Sequence, residues 1–526
     1  MTPTLRRRAV PAAARSRIIP KAFPAPVGGW ITSESLAFDK PGGASVLENF
    51  FPTTRGIRPR GGRLRHATID AGVMSLMAWR SGTSERIFAT DAAAIYDITN
   101  PASPTAQPAA DLSGLGSGFF SSTMFSTAGG DFLIAVNGTD PHRNYNGAAW
   151  ATTPAITGVA SSTLSYVWVF KNRLFFIQKN TMYAWCLPVD SIGGAATQIS
   201  LSGVFKKGGS LLFGTTWSVD AGDGMDDICV FVTSAGEMAA FAGTDPADPD
   251  AWGLAGTYDI GRPLGPNAHF RAGGDVVIAT LDGLVPLSAA KEKDPAALTL
   301  ASITRAIEDE WRSQALARQS SRSWSCVKWV ARNMAIIGLP AVGTSDVYCY
   351  VVNLLTGAWA KYTDWDLSCS IESGSLVYFG TPGGGVFIAE AGGTDDGQAY
   401  LSTFIGRYDH LRTPSATKTA KMARTTWLYR KPINPRVSCS FNYLPSLPPY
   451  PAAASHPSLD VWDVALWDAG LWDSSTTQQT VTRWVSLSGQ GFAMAPNVQV
   501  TNSHLAPPEA ELVSVDVFYE QGGIAV

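Results

Sequence analysis

Residues 226–243 read DDICVFVTSAGEMAAFAG. An apolar, β-branched and aromatic run, ICVFV, meets the turn TSAGE, and a second short apolar run follows. That order predicts a hairpin. Ser, Gly and the neighbouring Thr supply the turn chemistry, with Gly free to take a left-handed backbone.

The same pattern recurs along the chain. It is seen in SERIFATDAAAIYDIT (84–99), GDFLIAVNGTDPHRNYNG (130–147) and NRLFFIQKNTMYAWCL (172–187). It returns in GDVVIATLDGLVPLS (274–288), DVYCYVVNLLTGAWAKY (346–362) and SLVYFGTPGGGVFIAE (375–390). The seven hairpins begin near 84, 130, 172, 226, 274, 346 and 375. Most intervals scatter around the roughly 40–50 residues that one propeller blade consumes. Small sheets repeated around an axis leave only short, protected edges. The chain is therefore expected to be mainly β, an irregular β-propeller of six or seven blades over 71–395. A single large β-sandwich or two barrels is the competing architecture. One helix interrupts the strands near 300–316, where Ile303, Ile307 and Trp311 recur every fourth residue and Ser302 or Thr299 stands as the cap.

After 395 the texture changes. A basic strand-like stretch is followed by the Pro/Ala loop SLPPYPAAASHPSLD and by alternating strands such as AELVSVDVFYEQGG. There Val513, Val515 and Val517 are expected on one face and Ser514 and Asp516 on the other. Residues 396–526 are read as a separate β-rich platform domain, packed as a sandwich with an N-terminal segment, 34–70. Residues 1–33 contain no acidic side chain and six cations, Arg6, Arg7, Arg8, Arg15, Arg17 and Lys21. They read as a basic arm, without the apolar core of a secretion signal.

Composition narrows the function. Of the 526 residues 16% are charged, and the net charge of −3 disfavours a protein built to grip nucleic acid. No apolar run reaches the 18 or so residues of a membrane span. The six cysteines lie mostly in apolar strands with no CxxC, as buried thiols of a chain made in a reducing cytoplasm. No histidine pair has metal-ligand spacing, and no nucleophile elbow, Walker loop or HExxH occurs, so no catalytic, cofactor or metal residue is expected. Three acidic clusters, DAGDGMDD (220–227), DPADPD (245–250) and GGTDDGQ (392–398), read as surface turns. Asn137-Gly138-Thr139 reads as a plain turn, and SVDAG (218–222) as half of a sialidase Asp-box with its Thr-Trp missing.

Two stretches stand out. In VWDVALWDAGLWD (461–473) three Trp-Asp pairs fall five residues apart, too close for one per WD-repeat blade. Trp462, Trp467 and Trp472 are expected to be packing anchors, with a sugar- or partner-contacting surface as the other reading. In ENFFPTTRGIRPRGGRLRH (48–66) five arginines, Arg55, Arg58, Arg60, Arg63 and Arg65, crowd a Gly/Pro-rich segment. On extended backbone Arg58 and Arg60 would face one way, as would Arg63 and Arg65. A phosphate-contacting stripe, inter-subunit salt bridges and a solvated basic face are the three readings.

The segment ASVLENFFPTTRGIRPRGG (44–62) resembles the N-terminal pattern of the tail nozzle proteins of short-tailed bacteriophages, also called tail tubular protein B, at Asn49, Pro52, Gly56, Arg60 and Gly62. VFVTSAGEMAAFAGTDPADPDAWGLAGTYDIGRPLG (230–265), GGDVVIATLDGLVPLS (273–288) and FGTPGGGVFIAEAGGTDDGQ (379–398) resemble later parts of such proteins, as does the Trp-Asp tract. The resemblance implies a non-enzymatic virion subunit, made in the bacterial host cytoplasm. Six copies would ring the DNA exit channel. They would contact a tail adaptor above and tail fibres or a needle at the side, and DNA would slide in the lumen without sequence-specific binding. Asn49, Pro52, the five arginines and the three tryptophans would then lie at assembly interfaces. The alternative is a glycan-binding or glycan-cleaving propeller of a virion or secreted protein, which predicts a pair of carboxylates in a cleft.

Overall fold

The computed structural model describes residues 18–34, 42–218, 227–292, 298, 302–319, 324–342, 347–430, 433–452, 479–504 and 507–524. Its chain is mainly β.

The hairpin of residues 226–243 is Ile228–Thr233 paired antiparallel with Glu237–Gly243. Gly236 takes φ +90° in the turn between them. Thr233 ties that turn: its Oγ1 donates to Glu237 O and accepts from Glu237 N, at 3.2 and 3.1 Å. The same device recurs at Thr280, whose Oγ1 donates to Gly283 O, and at Thr381, whose Oγ1 bonds both backbone groups of Gly385. A threonine at the first turn position replaces backbone hydrogen bonds that a tight turn leaves open.

Hairpins of this kind assemble into blades. Five are four-stranded sheets, and another blade is the first four strands of a larger sheet. Their inner strands are Ser75–Ser81, Ser121–Thr127, Leu164–Phe170, Leu211–Trp217, Ser325–Trp329 and Cys369–Ser373. A three-stranded sheet beginning with His269–Ala272 sits between the fourth and the sixth place of the ring. The seventh blade contains only three consecutive strands of its own. Its fourth is Leu64–Thr68, from far upstream, paired antiparallel with Gly385–Ile388. Inner strands touch their neighbours from the first blade to the fourth and from the three-stranded sheet back round to the first. Phe213 stacked on His269 at 4.3 Å bridges the remaining gap. The propeller is thus closed.

Apolar clusters fill the gaps between blades. Met77, Phe88 and Tyr145 fill that between the first and second, and Ile134, Leu174 and Phe176 that between the second and third. Phe175, Phe213 and Val276 serve the third to fifth, and Ile69, Ile87 and Val386 join the seventh to the first. Face-to-face burial of small twisted sheets holds a ring of this kind together.

Two larger sheets flank the ring. The sixth blade continues through Ala44–Glu48, Tyr400–Gly406, Met494–Asn502 and Arg436–Phe441 into one eight-stranded sheet. A seven-stranded sheet is built on Ala510–Ile524, which pairs with Ala416–Tyr429 on one side and with Ile18–Pro24 and Ile57–Pro59 on the other. Trp427, Leu512 and Val517 of the second sheet share one core with Phe404 and Val498 of the first and with Trp311, Trp329 and Trp359 near the sixth blade. The C-terminal strands are therefore continuous with the propeller through residues 44–59.

Four local expectations change. The helix begins as a 3-10 turn, Ile303–Ile307, capped by Ser302, and becomes α over Glu308–Arg318. Ile307, Trp311 and Ala315 are its buried face. A short helix, Leu287–Glu292, lies where only a strand end was expected. In the last strand Leu512, Val515 and Val517 are buried and Val513 is not, because the register slips between Thr426 and Trp427 and resets the alternation. Of the expected basic arm, residues 18–24 are a strand, and Lys21 pairs with buried Asp409 at 2.5 Å.

Candidate functional site

The arginine segment lands between the seventh blade and the flanking sheets. Phe50–Pro52 and Ile57–Pro59 form a tight hairpin there. Gly56 sits so close to the last strand that a Cβ would meet Leu512 O at 2.2 Å, and one on Gly62 would meet Thr394 O at 1.9 Å. Only glycine fits such approaches.

These close contacts deliver Arg60 into the interior, where its side chain is 0% exposed. Its Nη1 and Nη2 donate to the two Asp395 oxygens at 2.9 and 2.6 Å, a bidentate pair, and its Nε donates to Asn49 Oδ1 at 2.8 Å. The guanidinium lies 3.9 Å from the Tyr400 ring centroid and 4.9 Å from that of Trp365. Burial works against its charge, but Asp395 outweighs it and holds the pKa above the ordinary value. Asp395 also accepts from Arg63 N and Trp365 Nε1.

Asn49 is the second member of this joint. It stands at φ +56°, a conformation asparagine tolerates better than most residues. Its Nδ2 donates to Thr363 Oγ1 and Leu401 O, both at 2.7 Å, and its Oδ1 accepts from Thr363 N as well as Arg60. One side chain thus links the sixth blade, the arginine segment and the flanking sheet.

Glu390, also 0% exposed, is the third member. It accepts from Arg58 Nη2 at 2.8 Å, Arg332 Nη1 at 2.5 Å and Tyr362 Oη at 2.7 Å. Burial would raise its pKa; the two arginines reverse this and hold it below the ordinary value. Outside these buried groups, Arg65 pairs with Asp396 and lies over Phe387, as does Arg63, whose pKa burial lowers. Arg55, 66% exposed, meets Glu511 at 3.0 Å.

Four of the five arginines therefore pair with carboxylates inside the chain, and Arg63 packs over Phe387. The expected one-sided stripe is corrected: Arg58 reaches Glu390 and Phe51, while Arg60 reaches Asp395 and the Tyr400 ring. Arg60 cannot be a subunit contact, because a fully buried guanidinium has no face to offer a partner. Pro52 turns inward too, its carbonyl accepting from Asn353 Nδ2 at 2.8 Å. Trp462, Trp467 and Trp472 lie outside the described residues. The partners Asp395 and Asp396 stand in the sequence as part of an acidic turn, and nothing local ties that turn to an arginine segment some 330 positions away. Excess cations in one Gly/Pro-rich stretch and excess anions in another are the signal that could have joined them.

Other sequence candidates settle simply. Asp245 and Asp248 accept from the backbone two residues on, and Asn137 from Thr139 and Asp140, as turn residues do. All six cysteines are free, and burial pushes the thiols of Cys326, Cys369 and Cys439 up to about 12. Among the described residues no group of His, Cys, Asp and Glu could hold a metal ion, and no helix is long and apolar enough to cross a membrane.

At the propeller axis the inner strands enclose a cavity of about 250 Å³, lined by Ser75, Ser121, Ser325 and Ser370 with Tyr166 and His269. Its lining contains no aspartate or glutamate. Burial lowers the His269 pKa to about 4, so the ring is neutral at pH 7.

No family model matches the chain, and no curated protein matches it. Among solved structures it is similar to the WD40 β-propeller domain of Doa1, with 11% identity over 62% of this chain and 97% of that one at a TM-score of 0.36. It is also similar to Sqt1 of Saccharomyces cerevisiae, with 11% identity over 65% of this chain and 99% of the other, again at 0.36. The computationally designed Ika8 protein gives 11% identity over 62% and 99%, at the same TM-score. Likenesses this distant say nothing of what the chain does.

Proposed function

We propose that the chain is a structural subunit of a phage tail nozzle, six copies of which ring the DNA exit channel between a tail adaptor and fibres or a needle. One observation carries the reading. Every residue through which 44–62 resembles nozzle proteins has a structural task at the joint. Asn49 bridges three elements, Pro52 accepts from Asn353, Gly56 and Gly62 admit the close backbones, and Arg60 is the buried ion. A pattern of that kind fits a rigid connection between a propeller and its flanking sheets better than it fits a reaction centre. The axial cavity of about 250 Å³ cannot admit a duplex, so DNA would pass between copies and not through a single propeller. A weakly acidic, charge-poor surface would let it slide, since each phosphate contact adds salt-sensitive affinity.

Native mass spectrometry and negative-stain microscopy of the purified chain test this. Closed rings of six are expected. A protein that stays monomeric at tens of micromolar, and whose antibodies fail to label phage tail tips, would sink the proposal.

A further inference from the structure

Beside the axial cavity a second one opens, sharing Phe120, Ser121, Tyr166 and Asn267 with it. Its volume is about 230 Å³, just below the roughly 300 Å³ at which small-molecule sites begin. It is sized for one ring-sized unit.

Two cations line it and no carboxylate does. Lys179 Nζ donates to Gly138 O at 3.1 Å, and Arg262 Nη1 to the amide oxygen of Gln319 at 3.2 Å. Those neutral acceptors leave most of their three and five donors for a ligand. Exposed Asn180 and Asn267 add amides, which donate and accept, as hydroxyl groups require. Phe119 and buried Tyr166 supply flat apolar surface. Arg60, Arg58 and Arg55 meet carboxylates at 2.6–3.0 Å, whereas here two cations line one cavity that holds no carboxylate. Two cations facing one such cavity suit an anion from outside.

We propose that this cavity binds an anionic monosaccharide unit, its acid group between Lys179 and Arg262, its hydroxyls on the amides and its ring against the aromatic wall. The acid could be a carboxylate or a phosphate, and the two sources are separable by experiment.

Ligand-observed NMR and calorimetry on the full chain should use glucuronate, glucose 6-phosphate and methyl glucoside as probes. Saturable binding of one acidic sugar, at least tenfold tighter than the neutral glycoside, is expected. Tighter glucuronate assigns a carboxylated sugar, and tighter glucose 6-phosphate a phosphorylated one. Lys179→Met and Arg262→Met should each weaken binding about tenfold while the thermal melt is unchanged. Weakening with rising salt should follow. Equal binding of all three sugars, no binding, or unaltered affinity in the double variant K179M/R262M overturns the proposal. Ring formation is scored separately, so failure here does not touch the nozzle reading.

Discussion

The joint and the axial end of the propeller both hold cations, and they treat them in opposite ways. At the joint, Arg58 and Arg332 share Glu390 and Arg60 takes Asp395, so each arginine meets a carboxylate inside the chain. In the cavity beside the axis, Lys179 and Arg262 rest on a carbonyl and an amide. A buried charge must be compensated within the fold, since desolvating an unpaired ion costs more than any local structure returns. A half-exposed charge is under no such constraint. At the joint the carboxylate-paired arginines fasten elements together, while Lys179 and Arg262 keep donors to spare.

The sharpest break of that contrast is Arg60→Met. It leaves Asp395 buried and unpaired, and about 3–5 kcal/mol of stability should be lost in urea unfolding, most of it regained in the double variant with Asp395→Leu. A loss below about 1 kcal/mol would show that the pair is not the clamp described. Replacing Arg58 and Arg60 together by Ala should likewise weaken the subunit itself, since Glu390 and Asp395 both lose a partner. Next is Gly62→Ala. A methyl group pressed against Thr394 O at 1.9 Å should cost about 1–3 kcal/mol, read as a lower urea midpoint at unchanged slope.

Acid should separate the two regions further. His269 has its pKa lowered to about 4 by burial, so the unfolded chain takes up a proton first as pH falls. Stability from the neutral ring is whole above about pH 6.5 and drains away as pH falls toward 4. Glu390, held below its ordinary value, contributes fully above about pH 4.5 and is lost as pH drops through its folded pKa. In His269→Asn the slope between pH 6.5 and 4 should flatten, and in Glu390→Gln only the slope below that. Identical profiles in both variants would refute the assignment. The smallest effect belongs to Arg55→Ala: its partner Glu511 is reached from a side chain 66% exposed, and less than about 1 kcal/mol is expected from thermal melts.

Much of the fold was legible because it is local. A run such as ICVFV followed by TSAGE carries its own hairpin, and seven such runs at blade-like intervals imply the ring. The helix was legible from Ile307 and Trp311, though the 3-10 start was not, because Ser302 closes that turn by a side-chain bond that the spacing does not encode. The joint was half legible. Arg55 to Arg65 stood out by charge, and Asp395 and Asp396 by clustering, but their meeting is set by the seventh blade, whose fourth strand comes from residues 64–68. Val513 misled because a one-residue bulge reverses faces. The axial cavities were invisible, since Lys179, Arg262 and His269 are far apart in the chain and none is remarkable alone.

That borrowed strand has a consequence in time. Leu64 is made early by the ribosome and must wait, unpaired, for Ile388. At the roughly 5–20 residues per second of synthesis this is a delay of tens of seconds. Until then the nascent ring is an open clasp, with the margins of its first and sixth sheets exposed to sticky encounters. A chain cut short anywhere before Gly385 would leave the clasp unfastened, so the circle completes only in copies carried through Ile388.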